Sequence, residues 1–186
     1  YKTEFWKNID KKSKESFEYF IKSFKKNIEV FDTPSYFKDI QKYHQIIHET
    51  DLANNFSEYF KRYKNKLSKI MQKAISNGQK HSAKDYAEAI DFMSRSYESY
   101  KEVFEDYHGV ISPSSSGVAP KGLKSTGGAE FNKVWSYMGT PSISLPLLQG
   151  ENNLPLGVQL IGQKYDDERF LTISAWLENE SKKFNE

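Results

Sequence analysis

The chain has 186 residues, the usual size of one domain, and its 27 basic and 25 acidic side chains give a net charge of +2. That balance argues against a protein that binds nucleic acid through a general basic surface. The absence of cysteine excludes disulfides, cysteine-ligated metals and a thiol nucleophile. No apolar run approaches the roughly 20 residues of a membrane-spanning helix, so we expect a cytoplasmic protein without membrane contact.

The first part of the chain predicts two helices separated by a short strand. Residues 11–26 form a helix with one apolar stripe, because phenylalanine and isoleucine recur three and four residues apart. Residues 27–31 are predicted as a short strand, and Asp32-Thr33-Pro34 resembles the capped start of a second helix. The face that we expect this second helix to bury consists of Phe37, Ile40, His44, Ile47, His48 and Asp51.

The helical period continues beyond this second helix. An apolar series over residues 56–71 predicts one continuing helix that ends at Asn77-Gly78, where we expect Gly78 to adopt a left-handed capping conformation. Ser82 and Asp85 form a capping-box pattern at the start of the next helix. The apolar stripe of that helix consists of Tyr86, Ile90, Met93, Tyr97, Tyr100 and Phe104.

The last third of the chain predicts a sheet. Residues 109–113 form a brief strand, residues 114–128 a long loop rich in Ser, Gly and Pro, and residues 129–137 a short helix. Two uncharged runs, 142–147 and 157–162, predict strands that are buried on both faces and joined by a polar turn. A last helix with an acidic first turn follows, and its buried side is expected to consist of Phe170, Ile173, Ala175, Trp176 and Leu177.

Residue spacing alone indicates no catalytic constellation. His44 and His48 lie one helical turn apart, but Gln45 stands where the zincin pattern has glutamate, so we expect no metal site. The serines of residues 112–116 lack a G-x-S-x-G elbow, and we expect their hydroxyls to make turn hydrogen bonds. Gln159 is a polar side chain in an apolar run, so its amide either orients the neighbouring turn or contacts a ligand.

Several segments resemble the C-terminal part of enzymes of the amidase signature family. Residues 107–113, YHGVISP, are similar to the family's Tyr-Asp-Val-Leu-Leu-Thr-Pro, and residues 139–146, GTPSISLP, to its Gly-Leu-Pro-Ala-Ile-Ser-Leu-Pro. Residues 154–162, LPLGVQLIG, give the closest match. His108 and Thr140 depart from the pattern, since the family has Asp and Leu there, and both lie in segments beside the expected pocket.

The resemblance implies an α/β fold with a mixed central sheet covered by helices, and hydrolysis of an amide bond by a Ser–cis-Ser–Lys triad without a cofactor. The family's triad motifs do not occur in these residues, and the sequence starts at Tyr1 rather than at methionine. We therefore expect residues 1–186 to be the C-terminal part of a single amidase domain, inactive alone and completed by a catalytic N-terminal part. No catalytic residue is assigned here, and the residues expected to line the substrate pocket are Ile111, Phe131, Asn132, Trp135 and Gln159.

Two other interpretations stay open at this point. The chain could belong to the A subunit of a tRNA-dependent glutamine amidotransferase, which passes ammonia to a partner subunit. It could also be a helical binding or scaffold module without chemistry. For the amidase interpretation, the expected partners are the N-terminal part of the same enzyme and a small-molecule amide. A homodimer is left open, and no direct binding of nucleic acid is expected.

Overall fold

The structure is a computed structural model that describes residues 4–183. Tyr1, the first residue named above, lies outside the described residues. The chain divides into two compact units. The first unit comprises the residues up to Ser35 together with those from Tyr100 onward, and the second unit comprises Tyr36–Ser99. The assignment of all residues to one amidase domain stays a prediction.

The first unit is built on a three-stranded sheet. Its strands are β1 (Val110–Pro113), β2 (Ser142–Gln149) and β3 (Pro155–Ile161), in the order β1-β3-β2. Both pairs are antiparallel. The predicted strands at 109–113, 142–147 and 157–162 are thus confirmed within one or two residues of their ends, and the helices around them agree with an α/β fold.

Burial on both faces holds for β3 but was wrong for β2. β3 is central and buries five of its seven residues, whereas Leu145 is the buried residue of β2. The physical reason is position, because β2 lies at the edge of the sheet formed by the described residues. The pairing of β2 with β3 is interrupted between Leu145 and Leu148 by a bulge. Pro146 lies inside this bulge, where its missing N–H breaks no ladder hydrogen bond.

Helices α1 (Lys11–Ser23) and α8 (Asp167–Lys182) cover one face of the sheet. The predicted helix at 11–26 is confirmed, and the carboxylate of Asp10 caps it by accepting the N–H of Ser13 at 2.9 Å. In α8 the predicted burial of Ala175 and Trp176 was wrong, because the helix instead turns small serines toward the core. The core cluster consists of Phe17, Phe20, Phe24, Leu145, Val158, Leu160, Phe170 and Leu177.

The predicted strand at residues 27–31 is absent. The segment starts as turns at the end of α1, where the N–H of Ile28 still donates to the carbonyl of Phe24 at 3.1 Å, and then runs irregularly to a single bridge at Asp32. Its apolar residues suit a strand, but a strand also needs a hydrogen-bonding partner beside it. None of the described residues pairs with 28–31 as a ladder.

This unit also contains two short α-helices, and the segment between them includes β1. They are α6 (Glu102–Asp106) and α7 (Glu130–Met138), the latter close to the predicted helix at 129–137. Gly139 ends α7 with φ of 68°, the left-handed conformation that glycine adopts most readily. The sequence analysis predicted Phe104 on the helix before α6. The structure instead places it on α6.

The second unit is helical. Its helices are α2 (Phe37–Asn55), α3 (Ser57–Tyr63), α4 (Lys69–Gly78) and α5 (Ala83–Tyr100), whose last residue belongs to the first unit. The predicted capping box is confirmed, since Ser82 and Asp85 exchange hydrogen bonds at 2.9 and 3.1 Å. No helix among the described residues has the length and hydropathy needed to cross a membrane.

The predicted start of α2 was wrong, and its predicted buried face is confirmed only at Phe37 and Ile40. The helix begins at Phe37 after Tyr36, which makes no side-chain cap, because a turn at residues 35–36 separates Asp32-Thr33-Pro34 from the helix. Its buried residues are Phe37, Ile40, Ile46 and Glu49, while His48 and Asp51 are exposed. The observed buried face differs from the predicted one because Glu49 is buried with polar partners inside the unit.

The predicted continuous helix over residues 56–71 is broken twice. A first break separates α2 from α3 at Phe56, and a second lies at Leu67, after which the hydroxyl of Ser68 caps α4 by accepting the N–H of Met71 at 3.2 Å. The apolar period of the sequence continued across both breaks, and it gave no indication that Tyr59 and Tyr63 would be exposed.

Gly78 does not adopt the predicted left-handed conformation. It is the last residue of α4, and a Cβ atom built on it would be 1.9 Å from the backbone oxygen of Glu49. Glycine is therefore required here for a close approach of α4 to α2, and not for a positive φ.

Candidate functional site

A row of polar side chains crosses the sheet of the first unit. Gln159 on the central strand is directly opposite Ser112 on β1 and Ser144 on β2. Residues directly opposite each other in antiparallel strands point to the same face. The row therefore occupies one face, while Leu160 and its opposite neighbours Ile111 and Ile143 occupy the other, against the core cluster.

Gln159 has an unsatisfied buried acceptor. Only 4% of the residue is exposed, and its Oε1 finds no hydrogen-bond donor within the described part of the chain. Leaving a buried carbonyl oxygen unpaired costs about 1–3 kcal/mol. The sequence analysis expected this amide either to orient the neighbouring turn or to contact a ligand. Because Oε1 makes no hydrogen bond to the turn, the remaining role for this atom is to accept a hydrogen bond from a ligand or another donor group.

Small residues keep the backbone close to this row. Gly157 is two residues before Gln159 on the same strand, and a Cβ atom on it would lie 2.3 Å from the hydroxyls of both Ser114 and Ser144. Asn132, on α7, donates its Nδ2 to the carbonyl of Ser114 at 3.2 Å. The sheet and α7 are thus joined at the end of β1.

Of the serines at 112–116, Ser112 and Ser115 make the expected local hydrogen bonds, whereas Ser114 donates to the neighbouring strand β3. Ser112 donates to the carbonyl of Pro113 at 3.3 Å, Ser114 to that of Gly157 at 3.0 Å, and Ser115 to that of Gly117 at 2.6 Å. These hydroxyls are donors to carbonyls, and none of these bonds leads to a histidine or lysine base. The loop therefore lacks the arrangement of an activated nucleophile.

The five side chains predicted to line a pocket do not surround one cavity in this structure. Phe131 and Trp135 are buried, with 2% and 1% exposed, and contact the rings of Phe5 and Tyr100 at 6.4 and 5.8 Å between centroids. Asn132 and Gln159 belong to the region of the polar row, and Ile111 lies on the opposite face. Their assignment to the pocket wall stays a prediction.

Ile111 lines an apolar cleft of about 460 Å³ in the first unit. At its mouth the hydroxyl of Tyr107 donates to Glu29 at 2.6 Å, and the ring of Tyr107 stacks on Phe31 at 6.1 Å. The hydrogen bond to the Glu29 carboxylate raises the pKa of the Tyr107 hydroxyl. This cleft was not predicted, because residues 27–31, which contribute to its lining, were assigned to a strand. Tyr107 and Phe31 were the signal in the sequence that could have indicated it. Other lining residues are Phe24, Ile28, Leu160, Ile173 and Trp176.

The second unit contains a buried polar cluster around Glu49. The carboxylate accepts hydrogen bonds from Gln45 at 3.1 Å, from Asn77 at 3.0 Å and from the ring of His81 at 2.9 Å. Burial by itself raises the pKa of Glu49, but the three hydrogen bonds and the charge of His81 outweigh that effect and lower the pKa. The cluster fastens α2 to α4 and to the turn that follows α4.

His44 and His48 stack their rings at 5.8 Å between centroids. Within residues 4–183, no group of three histidine, aspartate or glutamate side chains is arranged to hold a metal ion. The arrangement of these two rings thus provides two ligands at most, fewer than the three that protein metal sites ordinarily supply.

Comparison with known proteins gives a consistent family. The family model described as Amidase matches residues 4–171. The chain is 32% identical over 109 residues to the A subunit of the glutamyl-tRNA(Gln) amidotransferase of Alkaliphilus metalliredigens (strain QYMF), and the match covers 54% of this chain and 22% of the relative. It is 36% identical over 85 residues to the protein of the same name from Wolinella succinogenes, covering 42% of this chain and 19% of the relative.

Solved structures share the fold at low sequence identity. One titled "Crystal structure of amidase" superposes with a TM-score of 0.79 at 17% identity and covers 93% of this chain and 43% of its own. A bacterial aryl acylamidase of the amidase signature family gives 0.70 at 13% identity, covering 92% and 40%. The A subunit of the Thermotoga maritima glutamyl-tRNA(Gln) amidotransferase gives 0.60 at 20% identity, covering 88% and 37%. The chain therefore spans less than half the length of these proteins, and their likeness confirms the expected α/β fold.

Proposed function

The chain belongs to the amidase family, and we propose on that premise that it forms part of a cytoplasmic enzyme that hydrolyses a carbon–nitrogen amide bond. The observation that carries the proposal is the family match over residues 4–171, which includes both units and all three strands. The α/β fold shared with the solved amidases supports it. The substrate is a small-molecule amide in this proposal.

In this proposal the reacting groups are a Ser–cis-Ser–Lys triad in a part of the enzyme outside these 186 residues. Two observations support that division. The solved amidase has more than half of its length outside the region matched here. The hydroxyls of Ser112, Ser114 and Ser115 donate to backbone carbonyls, so none of them is paired with a base that could activate it.

The role proposed for this chain is to supply the sheet and part of the acyl-pocket wall. Gln159 is the wall residue with the strongest physical argument, because its buried Oε1 lacks a donor among residues 4–183, and an amide substrate or the backbone of the catalytic part offers N–H groups. Asn132 holds α7 to the end of β1 beside it. In this proposal Phe131 and Trp135 are buried on α7 and support the wall from behind Asn132. Ile111, on the opposite face of the sheet, lines the separate apolar cleft.

Reconstitution tests this proposal directly. The chain is produced with and without the catalytic part of the same polypeptide, and hydrolysis of a panel of aryl and alkyl amides is followed by amine or ammonia release. We expect product from the combination and none from this chain alone. If the two parts associate but the complex hydrolyses no amide, the scaffold interpretation would replace this proposal. Sedimentation of the same samples tests the open question of a homodimer.

A second candidate function is that of an A subunit in a tRNA-dependent amidotransferase. The favouring observation is that the curated relatives described above both carry that name. In this case the intact protein would co-purify with a B-type subunit, and it would release ammonia from glutamine in the presence of that partner. An amide-hydrolysing enzyme that is active without a partner subunit would contradict this second candidate.

A further inference from the structure

The second unit carries a concentrated positive charge that the net charge of the chain hides. Residues 56–73 hold six cationic side chains against one acidic side chain, Glu58, whereas the whole chain has a net charge of only +2. The rest of the chain is therefore net acidic. All six cations are exposed: Lys61, Arg62, Lys64, Lys66, Lys69 and Lys73.

Most of these cations have no carboxylate partner. Lys61 and Arg62 share Glu58, at 3.3 and 3.4 Å. The other four lysines make no ion pair among the described residues, so no carboxylate there neutralises their charge. Cations that are already paired with carboxylates attract other anions far less than unpaired cations do.

Aromatic rings alternate with these cations on the same short stretch. Phe56, Tyr59 and Tyr63 are 36%, 60% and 47% exposed, and their ring centroids follow one another at 6.4 and 6.0 Å. The ammonium group of Lys64 lies 4.9 Å from the ring centroid of Phe60, and that of Lys66 lies 5.3 Å from the centroid of Tyr63. We call Tyr59, Tyr63, Lys64 and Lys66 the basic aromatic patch.

The composition of this patch distinguishes between possible partners. A protein partner would have to desolvate the unpaired lysines, and lysine is depleted in protein interfaces for that reason. Single-stranded nucleic acid needs both features together, since its phosphates pair with cations while its unstacked bases lie on aromatic rings. Duplexes offer phosphates but keep their bases stacked, so they would use the lysines alone.

We propose that the basic aromatic patch binds single-stranded nucleic acid, with phosphates at Lys64 and Lys66 and bases stacked on Tyr59 and Tyr63. This binding does not depend on the hydrolytic function, because the patch lies entirely in the second unit and includes no residue of the sheet. It also refines the expectation drawn from the net charge, which averages this surface with the acidic remainder of the chain.

The test is fluorescence anisotropy of the 186-residue chain with a labelled single strand of about 15 uridines, close to the upper end of the site sizes known for single-strand binding folds. We expect binding that weakens with salt, with a slope of about −0.7 in log–log form for each phosphate neutralised. The doubly substituted variant Y59A/Y63A should lose at least about tenfold in affinity with its salt slope unchanged, because stacking is not a salt-dependent contact. The variant K64Q/K66Q should lose affinity and also lose about 1.4 from the slope.

Matched controls come from the first unit. Tyr19 is 65% exposed and Lys22 is exposed on the same helix, so Y19A and K22Q remove the same groups elsewhere. We expect the affinity of both controls to equal that of the unchanged chain, and the circular dichroism of all variants to be the same. The proposal is overturned if the controls weaken binding as much as the patch variants do. It is also overturned if a duplex binds as tightly as the single strand, or if vesicles with phosphatidylserine bind the patch and the single strand does not.

Discussion

Replacing Gly78 by alanine tests how closely α2 and α4 approach in the second unit. Alanine is the better helix former by about 1 kcal/mol, so a free position would be stabilised. Here the new Cβ would lie 1.9 Å from the backbone oxygen of Glu49 and 2.9 Å from the Cβ of Ala53. The two helices must separate by about 1 Å, and overpacking of this kind costs about 1–3 kcal/mol.

The separation also affects the polar cluster. The hydrogen bond from Asn77 to the Glu49 carboxylate is 3.0 Å long, and a bond to a charged group contributes about 1.5–3 kcal/mol. Backbone atoms of a buried helix cannot turn away as a flexible side chain does, so we expect the repulsion to exceed the gain in helix propensity. The net expectation is a loss of about 2–4 kcal/mol in the free energy of unfolding.

Urea unfolding followed by circular dichroism measures the change, and hydrogen exchange locates it. Amides of α2 and α4 should exchange faster in Gly78→Ala, while those of β3 should be unaffected. The control is Lys73→Ala, an exposed position on the same helix, which should change stability by no more than about 0.5 kcal/mol. If Gly78→Ala left the stability equal or higher, the close approach of the two helices would be refuted.

Three further predictions concern single side chains. Because its folded-state pKa is lowered, Glu49 contributes stability that is present above its unfolded value of about 4.5 and is lost as the pH falls through the folded value. Glu49→Gln cannot ionise, so in urea titrations its stability should fall less than that of the unchanged chain as the pH is lowered from neutral to below about 4.5, and an equal fall would contradict this. Asp10→Ala removes the cap of α1 and should cost about 1 kcal/mol by thermal unfolding, with Asp10→Asn close to the unchanged chain. Gln159→Leu should leave the stability of this chain equal or higher, because it removes an unpaired buried acceptor, and a loss of more than about 1 kcal/mol would show that Oε1 has a partner.

The sequence predicted the elements whose formation depends on local pattern. The helix at 11–26 and the strands at 142–147 and 157–162 follow from spacing and composition, and the structure forms them with small changes at their ends. Residues 27–31 have the composition of a strand but lack a neighbour to pair with. Strand formation depends on a partner that spacing within five residues cannot reveal.

The site was predictable only in part, for a related reason. Gln159 was recognised because an amide in an apolar run is unusual in any context. The partners of Glu49, in contrast, include Asn77 and His81, which lie 28 and 32 residues away in sequence. Gly78 shows the same limit, since a glycine near a helix end suits a left-handed cap and a close approach equally well, and only the position of α2 distinguishes them.

The bulge in β2 bears on how this polypeptide avoids aggregation. A regular edge strand offers a continuous row of N–H and C=O groups to any other chain in the extended conformation. In β2 the extra residue between Leu145 and Leu148 disturbs that row, and Pro146 contributes no donor to it. A second copy approaching this edge could form only short, interrupted ladders. Within residues 4–183, the uncharged strand at the edge of the sheet therefore has a reduced capacity to pair with another chain.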